Sequence, residues 1–296
     1  MNLSKYYLDN FQENQDITDW LAYFSVNVWN DLKFATEEDP SISKTDEREF
    51  TNRLVRGIAQ LIRTDKIPLP IRLFHSPNEN VNGDDIEIVV QLEENKNVIF
   101  PCQAKRLYVE TAQKDNKKAR YKKYNYKTQK DQLINYAEKM GGFPLYLFYN
   151  YTEYDIKTNN SYSNKELYGC TLASAIYLKN NEPKPATFPN LHPPAVPLIS
   201  IANFRNILSL NNIWGKTTNH KARLFSDKEI FGDNRWSEIA PPLHHKTRYS
   251  THINLEKVLN KKTSSDNLDM PFNPKYRIVF TAKKIDLNCR KINFRL

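Results

Sequence analysis

Glycine and cysteine are scarce in this sequence, and their scarcity argues against several classes of protein. The 296 residues include 7 glycines, and neither the G-x-x-x-x-G-K-[ST] pattern nor the G-x-G-x-x-G pattern occurs. Both phosphate-binding loops depend on glycine, so an NTPase or a dinucleotide-binding enzyme is disfavoured. The 3 cysteines are far apart and form no C-x-x-C pair. Neither a disulfide framework nor a zinc site is therefore indicated.

Long hydrophobic runs are also missing. No apolar stretch approaches the roughly 20 residues that a membrane-spanning helix needs. The first fifteen residues are polar and contain acids, which does not fit the apolar region of a secretory signal. These features predict a cytoplasmic protein with no membrane partner.

Positive charge, in contrast, is abundant. The formal net charge is +9 and the sequence pI is about 9.2. An excess of this size is typical of proteins that bind a polyanion, usually nucleic acid, although a lysine-rich proteome would produce it too. Hydrophobic residues make up 40% of the chain and aromatic residues 12%, enough for a folded core.

Hydrophobic periodicity predicts an α/β arrangement. Residues 1–40 form an aromatic-rich helical extension, for which core packing is favoured over an oligomer interface. The segment 183–197 carries several prolines and is expected to be extended. The region 167–179 fits either a strand or a helix. The other expected elements are a helix over 46–64 with Thr45 as its N-cap, strands at 71–75, 85–92, 98–107 and 144–149, and a helix over 128–140 that Gly141 closes.

The second and third strands form a hairpin that brings polar side chains together. With a turn centred near Asn95, Asp85 lies opposite Lys105, and Gln103 shares the face of Lys105. The simplest explanation is a charged pair on a solvent-facing hairpin. A register slip would replace Asp85 by Glu87 or by Asp84.

The same residue types also suit metal-assisted hydrolysis. Asp85, the Gln103 amide and the Ala104 carbonyl offer the hard oxygens that Mg²⁺ or Mn²⁺ prefers. Such an ion can bind a phosphate oxygen and lower the pKa of a bound water. The Lys105 ammonium can orient that water or stabilise charge that develops on the phosphate.

These motifs resemble those of a known family. The runs N-G-D-D-I-E-I at residues 82–88 and P-C-Q-A-K-R-L at residues 101–107 resemble the D…(E/Q)-x-K motif of the PD-(D/E)xK nuclease superfamily, in its Mrr-like branch. Q-K-D-Q-L-I-N-Y-A at 129–137 and P-L-Y-L-F-Y-N at 144–150 are similar to uncharacterised Mrr-like bacterial proteins. The resemblance covers residues 45–150 and extends to 180 at most.

The resemblance implies a restriction-endonuclease-like core over residues 41–180, made of a helix, a three-stranded β-meander, a helix and a strand. Residues 181–296 would be an accessory region. The catalytic residues would be Asp85, Gln103, Lys105 and an acid on the preceding helix, Glu49 or else Glu47. Glutamine at position 103 in place of glutamate favours a single metal ion, or a second one that the substrate recruits.

A basic stretch follows the third strand directly. Residues 106–130 contain nine lysines and arginines against two acids, with tyrosines between them. Basic groups neutralise phosphates and tyrosines stack on bases, so this stretch is expected to contact nucleic acid rather than to be a solvated loop. The contacting residues would be Arg106, Lys117, Lys118, Arg120, Lys122, Lys123, Tyr124 and Gln129.

The sequence thus predicts a Mg²⁺-dependent endodeoxyribonuclease that acts in bacterial restriction or defence against phage. It does not distinguish DNA from RNA, or a homodimer from a subunit of a larger complex. Two other hypotheses remain open: a catalytically silent nucleic-acid-binding module, and an interaction subunit of a defence complex.

Overall fold

A computed structural model describes residues 17–37, 46–64, 71–76, 85–108, 120–121, 127–153, 156, 164–181, 185–192, 194–202, 223–233, 235–239, 272 and 274–281. The helices are α1 (Ile17–Glu37), α2 (Glu47–Thr64), α3 (Lys127–Met140), α4 (Ala175–Asn181), α5 (Phe188–Leu191) and α6 (Asp227–Phe231). Two short 3₁₀ helices span Lys165–Gly169 and Leu198–Ala202. The strands are β1 (Ile71–His75), β2 (Ile86–Glu93), β3 (Lys96–Tyr108), β4 (Arg120–Tyr121), β5 (Leu145–Tyr149), β6 (Cys170–Ser174), β7 (Val196–Pro197), β8 (Ser237–Glu238) and β9 (Tyr276–Thr281).

One large mixed sheet organises the described part of the chain. Its strand order is β7-β6-β5-β3-β2-β9-β1-β8, and β4 pairs with the end of β3. The β3–β5 and β2–β9 pairs are parallel, whereas the other pairs are antiparallel. The expected α/β class is therefore confirmed at this level.

Helices cover both faces of the sheet because its strands are apolar on both sides. Helices α1 and α2 pack on the face that carries Cys102 and Ala104 of β3. Helix α3 packs on the opposite face, against Leu107 of β3 and against Tyr146 and Phe148 of β5. Side chains alternate along a strand, so Gln103 and Lys105 belong to the α3 face.

The expected three-stranded meander is wrong, because β1 and β2 are not neighbours. Strand β9 lies between them, antiparallel to β1 and parallel to β2. A strand from the end of the described chain thus fills a central position in the sheet. Long-range pairing of this kind leaves no local pattern in the sequence, so the hairpin reading could not reveal it.

The expected hairpin register is also wrong, by two residues. Strand β2 pairs with β3 so that Ile86 faces Cys102 and Glu87 faces Pro101. A tight turn and a β-bulge between Gln91 and Glu93 set this register. A shift of two residues keeps every side chain on its face, so only the partner of Asp85 changes.

Other local expectations turned out in different ways. Helix α2 starts with Asp46 as its cap, since the Asp46 carboxylate accepts the Glu49 backbone N–H at 3.0 Å; the expected cap, Thr45, lies outside the described residues. Gly141 ends α3 with a φ of 78°, as expected. The segment 183–197 is not simply extended, because it contains α5 and β7.

Within the described part of the chain, none of the helices has both the length and the apolar character that crossing a bilayer demands.

Candidate active site

The start of β2 and the middle of β3 meet on the α3 face of the sheet. The ladder between them includes Ile86 facing Cys102. Continued by one residue, the same register sets Asp85 across from Gln103, with Lys105 next along β3. Directly opposed residues on one face have Cβ atoms about 5 Å apart, and diagonal neighbours about 7–8 Å. The structure therefore brings the three predicted residues together, although Asp85 faces Gln103 and not Lys105.

Gln103 holds a buried oxygen that lacks a partner. Its side chain is 7% exposed, and its Oε1 makes no hydrogen bond. Leaving a buried amide oxygen unsatisfied is costly, on the order of 1–3 kcal/mol. An oxygen in this position is suited to accept a cation or a hydrogen-bond donor from a ligand.

Lys105 is held in place by α3. Its side chain is 6% exposed, and its ammonium donates a hydrogen bond to Oε1 of Gln129 at 3.1 Å. Gln129 lies in the first turn of α3, so this helix fixes the position of the lysine. The amide oxygen of Gln129, a residue that the sequence predicts to contact nucleic acid, is bonded inside the protein.

A buried ion pair lies beside Asp85 on the same face. The Glu87 carboxylate accepts hydrogen bonds from Nε and Nη2 of Arg277, each at 2.8 Å, and both side chains are almost fully buried. The Tyr136 hydroxyl donates to the other Glu87 oxygen at 2.5 Å. Glu87, the alternative acid if the register slipped, is therefore occupied by two partners.

The carboxylates of Asp85 and Glu87 also affect a neighbouring thiol. Burial raises the pKa of Cys102 well above its ordinary value, and the negative charges of Asp85 and Glu87 raise it further. Both acids are thus within electrostatic range of the same point on β3. Cys102 itself is a buried free thiol on the other face and stays protonated.

The predicted acids of α2 lie over the opposite face of β3. Glu47 accepts a hydrogen bond from the Tyr108 hydroxyl at 3.0 Å. Glu49 is exposed in the first turn of the helix. Since α2 packs on the Ala104 face, the structure does not group either glutamate with Gln103 and Lys105.

Arg106 also lies on the α2 face. It is 2% exposed, and its guanidinium stacks near the rings of Phe50 and Tyr108. Its Nε and Nη1 have no hydrogen-bond partner. Burial lowers the pKa of Arg106, while Tyr108 and the acids at the start of α2 oppose that shift. This residue, predicted to contact nucleic acid, is not presented at the surface together with Lys105.

The basic stretch is anchored at its middle. Tyr121 is buried, and its hydroxyl donates to Asn150 at 2.6 Å, so it is a core residue. Arg120 precedes it in β4, which pairs with the end of β3. The other predicted contact residues of this stretch, Lys117, Lys118, Lys122, Lys123 and Tyr124, lie outside the described residues.

The donor set fits a single hard cation. Among the described residues, no group of three or more histidines, cysteines or acids is arranged to hold a metal ion. Mg²⁺, however, is commonly bound by one or two carboxylates, with water and substrate phosphate completing its shell. Asp85 and the unsatisfied Gln103 oxygen would supply two positions, and the Ala104 carbonyl is the third donor that the sequence suggests.

Arg277 is the functional candidate that sequence reasoning missed. It lies 190 residues from Glu87 along the chain, in a segment without a recognisable motif. Its strand β9 is short and apolar on both sides, which predicts a buried strand but not its neighbours. Only the pairing of β9 with β2 reveals the contact.

Comparisons with known proteins give a family without an assigned activity. No curated protein and no solved structure matches the chain. A family profile matches residues 17–282, a span that runs from α1 to the end of β9. The chain belongs to that family, which is described as a family of unknown function, DUF6615.

Proposed function

We propose that this protein is a divalent-metal-dependent nuclease that hydrolyses DNA phosphodiester bonds. The observation that carries the proposal is the unsatisfied, buried Oε1 of Gln103, next to Asp85 and Lys105 on one face of β3. A buried polar atom without a partner is rare in folded proteins, and a bound cation would explain it.

Each of the three residues has a distinct task in this proposal. Asp85 and Gln103 hold the ion through oxygen atoms, and Asp85 contributes the negative charge. When bound, a Mg²⁺ or Mn²⁺ ion polarises the phosphate and activates water. Lys105, on the same face of β3 as Gln103, would stabilise the additional negative charge of the transition state.

Gln129 supports Lys105 and carries no reacting atom. Its hydrogen bond fixes the lysine side chain, which otherwise has many rotamers. An exact position matters because a misplaced charge stabilises the transition state poorly. We assign Glu49 no role in the proposed reaction, because its helix, α2, packs on the other face of β3.

The overall charge supports a polyanionic substrate. A net charge of +9 favours a polyanionic partner, and the 106–130 stretch, whose nine basic residues include the buried Arg106, follows the proposed centre in the chain. The biological setting, bacterial restriction or defence against phage, follows from the sequence resemblance to Mrr-like nucleases.

The test is a cleavage assay with supercoiled and linear DNA in Mg²⁺, Mn²⁺ or EDTA. We expect cleavage that EDTA abolishes, and a loss of about 100-fold or more in both Asp85→Asn and Lys105→Met. Asp31→Asn and Lys33→Met are matched controls, because both residues form partly exposed ion pairs and lie on α1, which packs on the opposite face of the sheet. Their cleavage should equal that of the wild type.

The assay also separates the alternatives. Cleavage that survives both Asp85→Asn and Lys105→Met would contradict the assigned centre. DNA binding without cleavage under any metal would favour a silent nucleic-acid-binding module. Absence of both binding and cleavage would favour an interaction subunit of a larger complex.

A further inference from the structure

Strand β9 adds basic residues to the row of acids on β2. The parallel register sets Glu87 beside Arg277 and Ile86 beside Tyr276. The Lys275 backbone N–H donates to the Asp85 carbonyl at 2.9 Å, which extends the same alignment by one residue. Asp85 and Glu87 therefore each have a basic residue next to them, Lys275 just before β9 and Arg277 within it.

Glu87 is close enough to the centre to act as a second metal ligand. It lies two residues from Asp85 on the same face and opposite Pro101, so Gln103 is its diagonal neighbour. Diagonal neighbours on adjacent strands are about 7–8 Å apart, a distance that glutamate and glutamine side chains can bridge together with an ion. Its carboxylate would be a stronger ligand than the neutral amide of Gln103.

Three contacts occupy both carboxylate oxygens of Glu87, so that neither is available to a metal ion. Arg277 binds one carboxylate oxygen through two nitrogens, and Tyr136 binds the other oxygen. Arg277 is fixed in turn, because its Nη1 donates to the Ile230 carbonyl at 2.8 Å and its guanidinium lies over the Trp236 ring. The pair thus joins β2, β9, α3, α6 and the segment that follows α6.

We propose that Arg277 is a positioning residue that withholds Glu87 from the metal, so that the centre has one carboxylate and takes one ion. This inference rests on the proposed nuclease function and adds that Arg277 sets the number of metal ions in its centre. It assigns a specific task to the C-terminal strand: β9 supplies the cation that neutralises the second acid.

The experiment is calorimetric titration of the metal-free protein with Mn²⁺, which measures affinity and stoichiometry without reference to cleavage. The variants are Arg277→Met, the double variant Glu87→Gln/Arg277→Met and Asp85→Asn. The double variant replaces the ion pair by neutral groups of similar size, a change that buried pairs often tolerate.

The wild type should bind one Mn²⁺, and Asp85→Asn should lose it. Arg277→Met releases the Glu87 carboxylate, so it should bind a second Mn²⁺ or bind the first at least about tenfold more tightly. The double variant should return to one ion, with a Kd within about threefold of the wild type. A gain of Mn²⁺ binding in Arg277→Met that the double variant reverses is a result that a merely structural role of Arg277 would not produce.

Two results would overturn the inference. If the double variant loses Mn²⁺ affinity about as much as Asp85→Asn does, Glu87 is a ligand in the wild type. If a folded Arg277→Met binds Mn²⁺ as the wild type does, Arg277 does not control the acid. If circular dichroism shows that Arg277→Met does not fold, the double variant still tests Glu87. Mn²⁺ binding like that of the wild type would show that Glu87 is not a metal ligand.

Failure of the proposed function is distinguishable from failure of this inference. A wild-type protein that binds no Mn²⁺ contradicts the metal centre itself and the Arg277 inference with it. A wild-type protein that binds Mn²⁺ through Asp85, with no response to Arg277→Met, contradicts only the inference.

Discussion

At the residue scale, Gln103 is the side chain on which the proposed metal centre depends most. Its Oε1 is buried without a partner, which destabilises the metal-free protein. Functional sites often retain such groups because a ligand satisfies them. The residue therefore gives a test in which stability and metal binding should change in opposite directions.

Gln103→Leu should stabilise the metal-free protein by about 1 kcal/mol, because it removes an unsatisfied acceptor at nearly constant volume. The same variant should bind Mn²⁺ at least about tenfold more weakly, a loss of about 1.4 kcal/mol. Urea denaturation and calorimetric titration measure the two quantities.

Gln103→Glu is the matched variant. It adds a negative oxygen beside Asp85, so it should bind Mn²⁺ more tightly and lose stability without metal, where two neighbouring carboxylates repel each other. A metal-free Gln103→Leu protein that is clearly less stable than the wild type would show that the amide oxygen already has a partner inside the protein.

At the scale of elements, β9 decides the architecture around the centre. It pairs with β1 on one side and β2 on the other, and its Ile278 and Phe280 belong to the main core. Removal of this strand would leave the backbone groups of two central strands without partners. Unpaired and buried polar backbone groups are strongly unfavourable.

A chain that ends at residue 271 should therefore not form the native sheet. We expect it to be insoluble or to lack a cooperative thermal transition, whereas a chain that ends at residue 282 keeps β9 and should melt cooperatively. Circular dichroism and light scattering make the comparison. Cooperative unfolding of the shorter chain near the wild-type Tm would contradict a central role of β9.

At the scale of the whole described molecule, a buried network of hydrogen bonds joins β4, β6 and the ends of β5 and α5. The Tyr121 hydroxyl donates to Asn150 Oδ1, and Asn150 Nδ2 donates to Thr171 Oγ1 at 2.9 Å. Thr171 Oγ1 lies 2.8 Å from His192 Nε2, and His192 Nδ1 lies 3.1 Å from the Phe188 carbonyl. These distances fit a neutral imidazole that donates through Nδ1 to the carbonyl and accepts at Nε2.

Burial lowers the pKa of His192 from its ordinary 6.5 to about 3. Below pH 6.5 the unfolded chain therefore binds a proton that the folded protein does not, and folding becomes less favourable as the pH falls. The free energy of unfolding should decrease from pH 6.5 towards pH 3, by at most about 1.4 kcal/mol per pH unit from this group.

Urea denaturation at several pH values between 7 and 4.5 measures the slope. His192→Gln is the comparison: it should be less stable at pH 7 but have a shallower slope below pH 6.5, because the titrating group is gone. Equal slopes in the two proteins would show that His192 titrates normally in the folded state.

The sequence determined the local features of this protein. Alternating and helical hydrophobic patterns gave α2, α3, β1 and β5 nearly residue by residue, because each pattern is set by neighbours in the chain. The alternation of side chains along a strand also placed Asp85, Gln103 and Lys105 on one face. That conclusion survived a register error of two residues because two is the period of a strand.

Tertiary structure decided the rest, because the remaining contacts join residues that are distant in the chain. No local pattern indicates that β9 separates β1 from β2 or that Arg277 binds Glu87. The same holds for Gln129 on Lys105 and for Tyr121, whose burial removes it from the basic surface. The sequence was enough to identify the acidic and basic residues of the proposed centre. The packing of β9 and α3 determined which of them are held by other side chains and which face the proposed metal ion.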